Sequence, residues 1–341
     1  MTPPAQLDVI STGPLTLVQD LGRPGWAHLG VSDSGAADRA AFRRGAALVG
    51  NDVGRPALEV VLGGLAVRAV GAVRVAVTGA GVPLRHQRAA DRSTQRPSCD
   101  TVLQLADGDV LRLGTPRSGL RNYLSVSGGI DVPAVLGSRS TDTLSGLGPA
   151  PVRPGDRLPV GSAPGEPVFT DPVGTGPVSR GSVPNSAVPH HPVASDPAPA
   201  DNARALDATE ALTLPVIPGP RSDYLADPDL LVRSAWTVSP HSDRIGLRLL
   251  HPGGEKFARA TGFADRELPS EPMLRGAIQV PPSGEPVILF ADHPTTGGYP
   301  VIGVVADAGL DALAQLRPGA AVRFRWSPGA SAPGAGAPDI G

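Results

Sequence analysis

The apolar residues of this chain come in short runs, each closed by glycine, proline or aspartate, and that rhythm restricts the fold more than any other feature. The first half holds Leu7–Ile10, Leu15–Val18, Ala57–Leu62, Val73–Val77, Val102–Leu105, Val110–Leu113 and Tyr123–Val126. The second holds Leu214–Ile217, Leu230–Val232, Ala235–Val238, Ile245–Leu249, Ala277–Val280, Val287–Phe290, Val301–Val305 and Ala321–Trp326. Each is too short for a buried helix and long enough for a strand. Regular short strands with turn residues between them predict a mainly β chain of barrels or sandwiches. With 43 Gly and 39 Pro in 341 residues, turns are amply supplied, and the length suffices for two cores.

Two helices are expected. After Ser34-Gly35, residues Ala41, Phe42, Gly45, Leu48 and Val49 share one face of a helix. Asp38 suits its first turn, and Gly50-Asn51 its stop. A shorter helix is expected over 309–315. From Pro159 to Thr213 the chain is rich in Pro, Ala, Ser and Gly, with few large apolar residues to bury. The expected layout is one β-rich unit over 1–158, a flexible linker over 159–213, a second β-rich unit over 214–327 and a disordered tail over 328–341. His190-His191 lies inside the linker and reads as incidental.

Composition excludes several classes of function. The net charge of −2 offers no basic field for nucleic acid. One cysteine, Cys99, rules out an internal disulfide and a cysteine-rich metal site, and no metal is expected. No apolar run reaches the ~18 residues of a membrane span, and MTPPAQLDVI does not read as a signal peptide. A cytoplasmic protein is expected. Lys256 is the only lysine and lies in GGEKF. A phosphate-binding loop of the G-x-x-x-x-G-K-[ST] kind is therefore missing, as is a biotin-carrying lysine. ATP or biotin chemistry needs another chain to supply those parts.

One connection is unusually rich. ADHPTTGGYP, Ala291 to Pro300, joins two apolar runs and carries Asp292, His293, Thr295, Thr296, Gly297, Gly298 and Tyr299. A plain turn needs two or three special residues. Paired glycines let backbone approach a ligand, and their N–H groups can cradle an anion.

The chain resembles the allophanate hydrolase subunit 2 family, also described as the 5-oxoprolinase C subunit or as biotin-dependent carboxyltransferase, subdomains A and B. The matching segments run in order: GPLTLVQDLGRPGWAHLGVSDSGAAD (13–38), ALVGN (47–51), ALEVVLGG (57–64), VAVTGA (75–80), RNYLSVSGGIDVPAVLGSRSTDTLSGLG (121–148), PGDRL (154–158), PGPRSDYL (218–225), WTVSPHSDRIGLRL (236–249), RGAIQVPPSGEPVILFADHPTTGGYPVIGVV (275–305) and LRPG (316–319). The resemblance implies two cyclophilin-like β-barrel subdomains. It implies two partners: the B subunit, an allophanate hydrolase subunit 1-like chain, and a LamB/YcsF-like A subunit. Such a complex opens 5-oxoproline to glutamate at the expense of ATP. The resemblance leaves two alternatives: half of a biotin-dependent carboxyltransferase for a urea-like substrate, or a regulator that binds a kinase inhibitor similar to the B subunit.

Residue chemistry selects the candidate site. Asp292 is a candidate base or orienting group, and Tyr299 could stack on a planar lactam or ureido ring. Arg139, the third catalytic candidate, stands beside Ser140 and Thr141 in a carboxylate or phosphate cradle, against a bland reading as a hydrogen-bonded loop. Arg23 on its glycine turn, Ser34 and Gly35 before the helix, and Gln279, Thr295, Thr296, Gly297 and Gly298 complete the substrate-binding set. Ser34 reads equally as an ordinary helix N-cap. Asp20 is read as structural, and Ser242-Asp243-Arg244 ranks lower because Asp–Arg neighbours often only satisfy a loop.

Overall fold

The computed structural model describes residues 5–162, 211–264 and 266–327. The stretch 163–210, which holds most of the anticipated linker and His190-His191, lies outside the described residues, as does the anticipated tail.

In the first half the strands are β1 (Gln6–Thr12), β2 (Leu15–Gln19), β3 (Ala57–Val61), β4 (Leu65–Val70), β5 (Val73–Gly79), β6 (Leu84–Gln87), β7 (Thr94–Gln95), β8 (Val102–Leu105), β9 (Val110–Leu113), β10 (Arg121–Val126) and β11 (Arg157–Pro159). They form a six-stranded sheet in the order β11-β1-β4-β9-β6-β7 and a five-stranded sheet in the order β2-β3-β10-β5-β8. Leu7, Val9, Leu65 and Val67 of the first sheet meet Val18, Leu58, Val75 and Leu124 of the second in one core. This half is thus two sheets around a shared core. Helix α1 (Arg39–Leu48) covers the second sheet, setting Phe42 edge-on to Tyr123 with ring centroids 6.0 Å apart. Gly50, at φ +75°, ends it as anticipated.

The second half contains β12 (Leu212–Pro218), β13 (Ala235–Val238), β14 (Gly246–Leu250), β15 (Glu271–Pro272), β16 (Ala277–Gln279), β17 (Val287–Leu289), β18 (Thr296–Gly297), β19 (Val301–Val305) and β20 (Ala321–Trp326), with helices α2 (Leu230–Arg233) and α3 (Asp307–Leu313). Seven of these strands close a barrel in the order β12-β19-β16-β17-β14-β13-β20. Only the β12–β20 seam is parallel. Trp236 stacks on Phe257 inside, beside Val238, Leu249, Ile278, Ile288, Phe290 and Phe324.

Three expectations are corrected. Leu230–Val232 is helix, not strand: Val232 and Arg233 donate to the Asp229 carbonyl, and the indole of Trp236 holds the Leu231 carbonyl at 3.0 Å. A three-residue apolar run carries no period, so packing chose its state. Helix α1 is capped by Asp38, which accepts from the Ala41 N–H at 2.8 Å, so Ser34 is not its N-cap. Pro159 and Leu212-Thr213, assigned to the linker, are strand residues.

The two halves pack against each other through polar side chains. Gln315 accepts from the Leu120 and Arg121 N–H groups and donates to Asp38 at 2.6 Å. Asp311 accepts from the Arg39 N–H at 2.7 Å, and Arg275 donates to the Ala36 and Ala37 carbonyls. The guanidiniums of Arg121 and Arg275 lie 5.4 and 5.0 Å from the Phe290 ring centroid.

Candidate functional site

Three loops meet where the halves join: 20–38 after β2, 137–148 after β10, and 291–300 between β17 and β19. The first folds back tightly. Arg23 N–H donates to the Asp33 carbonyl and Ala36 N–H to that of Asp20. Gly22 (φ +91°) and Gly35 (φ +89°) cross so closely that a Cβ on Gly35 would meet Gly22 N at 2.7 Å. That crossing sets Ser34, at φ +55°, facing the other two loops.

Asp20 stitches the first loop to the second, as its structural reading anticipated. Its carboxylate accepts from Gly22 N–H, from the Ser138 and Ser140 hydroxyls and from Arg139 N–H, at 2.6–2.8 Å. Arg23 is buried, donating to the carbonyls of Ser140 and Val135, while its Nη1 has no hydrogen-bond partner and stands 4.0 Å from Asp142. Asp142 accepts from Ser32 and Ser145. The Thr141 hydroxyl donates to the Pro149 carbonyl, and its own carbonyl accepts from Ser34.

The third loop enters through Asp292. Arg244 grips both its oxygens, Nε and Nη2 each at 2.9 Å. The Ser34 hydroxyl donates at 2.6 Å, and Thr143 donates its N–H at 2.9 Å and its hydroxyl at 2.7 Å. Arg244 also donates to Glu59 at 2.5 Å and to the Gly35 carbonyl at 2.7 Å. Glu59 accepts in turn from Ala37 N–H and the Tyr123 hydroxyl. All four of these charged and phenolic side chains are buried. Burial alone raises a carboxyl's pKa, but Arg244 outweighs it and holds Asp292 and Glu59 below their ordinary values, Arg121 assisting at Glu59. Burial, with Glu59 next, pushes the Tyr123 phenol well up and keeps it a neutral donor.

The candidates therefore divide. Ser34, Gly35, Thr141 and Asp292 come together, with Arg23 and Ser140 behind them. The five hydrogen bonds into Asp292 give it the geometry of an anchor between the halves. Arg139 lies apart: its guanidinium donates to the Val132 carbonyl at 2.7 Å and stands 3.9 Å from Asp131, and its side chain stays about a third exposed. Gln279 lies beneath the rich loop, its amide against Met273 Sδ and the Tyr299 carbonyl. A Cβ on Gly297 would meet that amide at 2.6 Å. Thr296-Gly297 pair with Glu271-Pro272, and Met273 N–H donates to the Thr295 carbonyl, while Gly298 leads to Tyr299. Tyr299 is 45% exposed, and Leu29 and Leu144, one on each of the other loops, are exposed too.

Sequence reasoning ranked Arg244 low and missed Glu59, Tyr123 and Thr143. A carboxylate inside the apolar run ALEVV was the available signal, since a strand with every position from Ala57 to Val60 buried must pair it. Among the described residues no group of three or more His, Cys, Asp or Glu could hold a metal, and no helix is long and apolar enough to cross a membrane.

The family described as carboxyltransferase domain, subdomain A and B, matches residues 29–326. The chain is 36% identical over 323 residues to the C subunit of 5-oxoprolinase from Escherichia coli K12, covering 93% of this chain and 90% of that protein. It is 30% identical over 330 residues to urea amidolyase of Saccharomyces cerevisiae, covering 94% of this chain but only 16% of that longer protein. Its fold matches the crystal structure of Kluyveromyces lactis urea carboxylase with a TM-score of 0.73 at 28% identity, over 94% of this chain and 27% of that one.

Proposed function

Because the chain belongs to the family of carboxyltransferase domains with subdomains A and B, we propose that it is the C subunit of an ATP-dependent 5-oxoprolinase. It works in the cytoplasm with the B subunit and a LamB/YcsF-like A subunit. The observation that carries this reading is the likeness to a 5-oxoprolinase C subunit over 93% of the chain, joined to a junction whose three loops each carry an exposed large side chain, Leu29, Leu144 and Tyr299. Exposed apolar side chains around a polar junction suit a surface completed by another chain.

In this reading the open groups meet the substrate and the buried ones hold the loops. Tyr299 stacks on the lactam ring or donates to its carbonyl, and Arg139 takes the substrate carboxylate. The Thr295–Gly298 backbone, with Thr296 outward, lines the approach. Asp292, Ser34 and Thr143 fix the three loops to one another. The fit to ATP is poor in this chain: its only lysine, Lys256, pairs with Glu285 at 3.1 Å on the second barrel. The nucleotide is bound by a partner.

The test is co-expression with both partner chains and an assay of ATP-dependent glutamate release from 5-oxoproline. Turnover that needs all three chains supports the reading; no turnover from the assembled complex removes it. The likeness to urea carboxylase favours a second reading, a carboxyltransferase half acting with biotin carried on another chain. Carboxyl transfer from carboxybiotin to urea, with no 5-oxoproline turnover, selects it.

A further inference from the structure

The outward face of the six-stranded sheet carries an unbalanced pair. Arg85 on β6 and Arg112 on β9 are direct cross-strand partners. Both are exposed, while Leu84, His86, Leu111 and Leu113 beside them are buried, so the two guanidiniums share the solvent face. Opposed residues of an antiparallel pair hold their Cβ atoms roughly 4.5–5.5 Å apart, and like charges there are destabilising. Neither arginine has a hydrogen-bond or ion-pair partner among the described residues. Arg68 adds a third exposed positive charge on β4, two residues from Ala66, which faces Arg112.

Beside this pair the surface sinks. Ala66 offers only a methyl group opposite Arg112, and an open hollow of about 400 Å³ forms between Ser11, Pro83 and the two arginines. One end is lined by the backbone of Gly64 and Gly114, where Gly64 N–H donates to the Leu113 carbonyl at 2.9 Å. No side chain fills the space. The hollow is lined from β1, β4, β6 and β9 of the six-stranded sheet and the turns beside them, and shares no residue with the three-loop junction.

We propose that Arg85 and Arg112 form a binding site for a small oxyanion, a phosphate or carboxylate group whose compact body rests against Pro83. Guanidinium forks match such groups in two-point geometry, and an anion between them turns a repulsive pair into a bridged one. The site is separate from the proposed catalytic junction and stands whatever reaction that junction serves.

Thermal unfolding of the full chain tests it, in chloride buffer of constant ionic strength with added inorganic phosphate or acetate. A bound anion raises Tm by about 2–4 °C. In Arg85→Ala and Arg112→Ala proteins that rise is lost, while Tm in chloride alone is unchanged or higher because the repulsion is gone. A rise with phosphate alone identifies a phosphoryl ligand, and one with acetate alone a carboxylate. General salting by phosphate survives in the variants, so a rise that persists in the double variant overturns the site. So does the lack of any rise in the wild-type protein.

Discussion

Arg244 and Asp292 form a two-point ion pair, both contacts at 2.9 Å, in the seam between the two halves of the chain. Both belong to the second half, yet Asp292 also accepts from Ser34 and Thr143 of the first, and Arg244 donates to Glu59 and Gly35 there. Removing one partner leaves the other charge buried and unpaired, at a cost of about 3–5 kcal/mol. Arg244→Met should lose that much by urea titration, and Asp292→Asn a comparable amount. Ser34→Ala, which deletes one hydrogen bond, should lose only about 1 kcal/mol. If Arg244→Met costs no more than Ser34→Ala, the pair does not hold the halves together.

Acid should find this network first. Asp292 and Glu59 sit below their ordinary values of 3.8 and 4.5, because Arg244 overrides the upward push of burial. The unfolded chain therefore binds protons that the folded one refuses. The stability they contribute is complete above the unfolded values and drains as pH falls through the lower folded ones, so it declines below about pH 4.5. Asp38 runs the other way: burial raises it above 3.8, so its contribution is present below that value and fades as pH rises through the folded pKa. Asp91 and Asp109 are lowered too, so among the described residues four lowered carboxyls stand against Asp38 alone and the balance is a net loss in acid. Urea midpoints measured down the acid range should fall in the wild type and more shallowly in Asp292→Asn. Parallel curves for the two proteins would count against Asp292 as a source of the acid sensitivity.

The strand rhythm was legible because alternation and turn residues are local. Ala235–Val238 and Ala321–Trp326 appear with the bounds the sequence predicts. LAVRAV, Leu65–Val70, went unread although it buries Leu65, Val67 and Ala69 and exposes Arg68, because a single polar residue marks its period. The rich loop around Asp292 was recognised by its density of functional residues. What those residues touch was not, because Ser34 and Asp292 are 258 positions apart and only the packing of the halves brings them together. Arg244 looked like half of a local Asp–Arg turn. In the structure Asp243 accepts backbone N–H groups of its own turn, while Arg244 crosses to Glu59.

The glycine crossing under Ser34 gives a prediction that separates backbone strain from steric clash. Gly35 (φ +89°) has Gly22 N and Leu21 C within 2.7 Å of any added Cβ, whereas Gly137 (φ +82°) has nothing within 4 Å. Gly137→Ala should cost only the left-handed conformation, about 1–2 kcal/mol. Gly35→Ala bears that and the displacement of two backbone segments, so its urea midpoint should fall further. Equal midpoints would mean the 20–36 loop yields easily and does not set the position of Ser34.

Tyr299 and Arg139 carry the proposed chemistry, and their exposure makes the test clean. Tyr299 is 45% exposed, and the Arg139 side chain about a third, so truncating either should change stability by about 0.5 kcal/mol or less. If Tyr299 stacks on the substrate ring, Tyr299→Ala lowers kcat/KM of the assembled complex at least about tenfold, whereas Tyr299→Phe retains most of it. If its hydroxyl donates to the lactam carbonyl, Phe fails as Ala does. Arg139→Ala should raise KM for 5-oxoproline, because the carboxylate loses its cradle, and Arg139→Lys should restore only part, a point charge replacing a fork. Arg139 also donates to the Val132 carbonyl at 2.7 Å, so the co-purified complex must stay intact for the comparison to hold. With the complex intact, unchanged turnover in both alanine variants would return Tyr299 and Arg139 to the surface and leave the reaction to the partner chains.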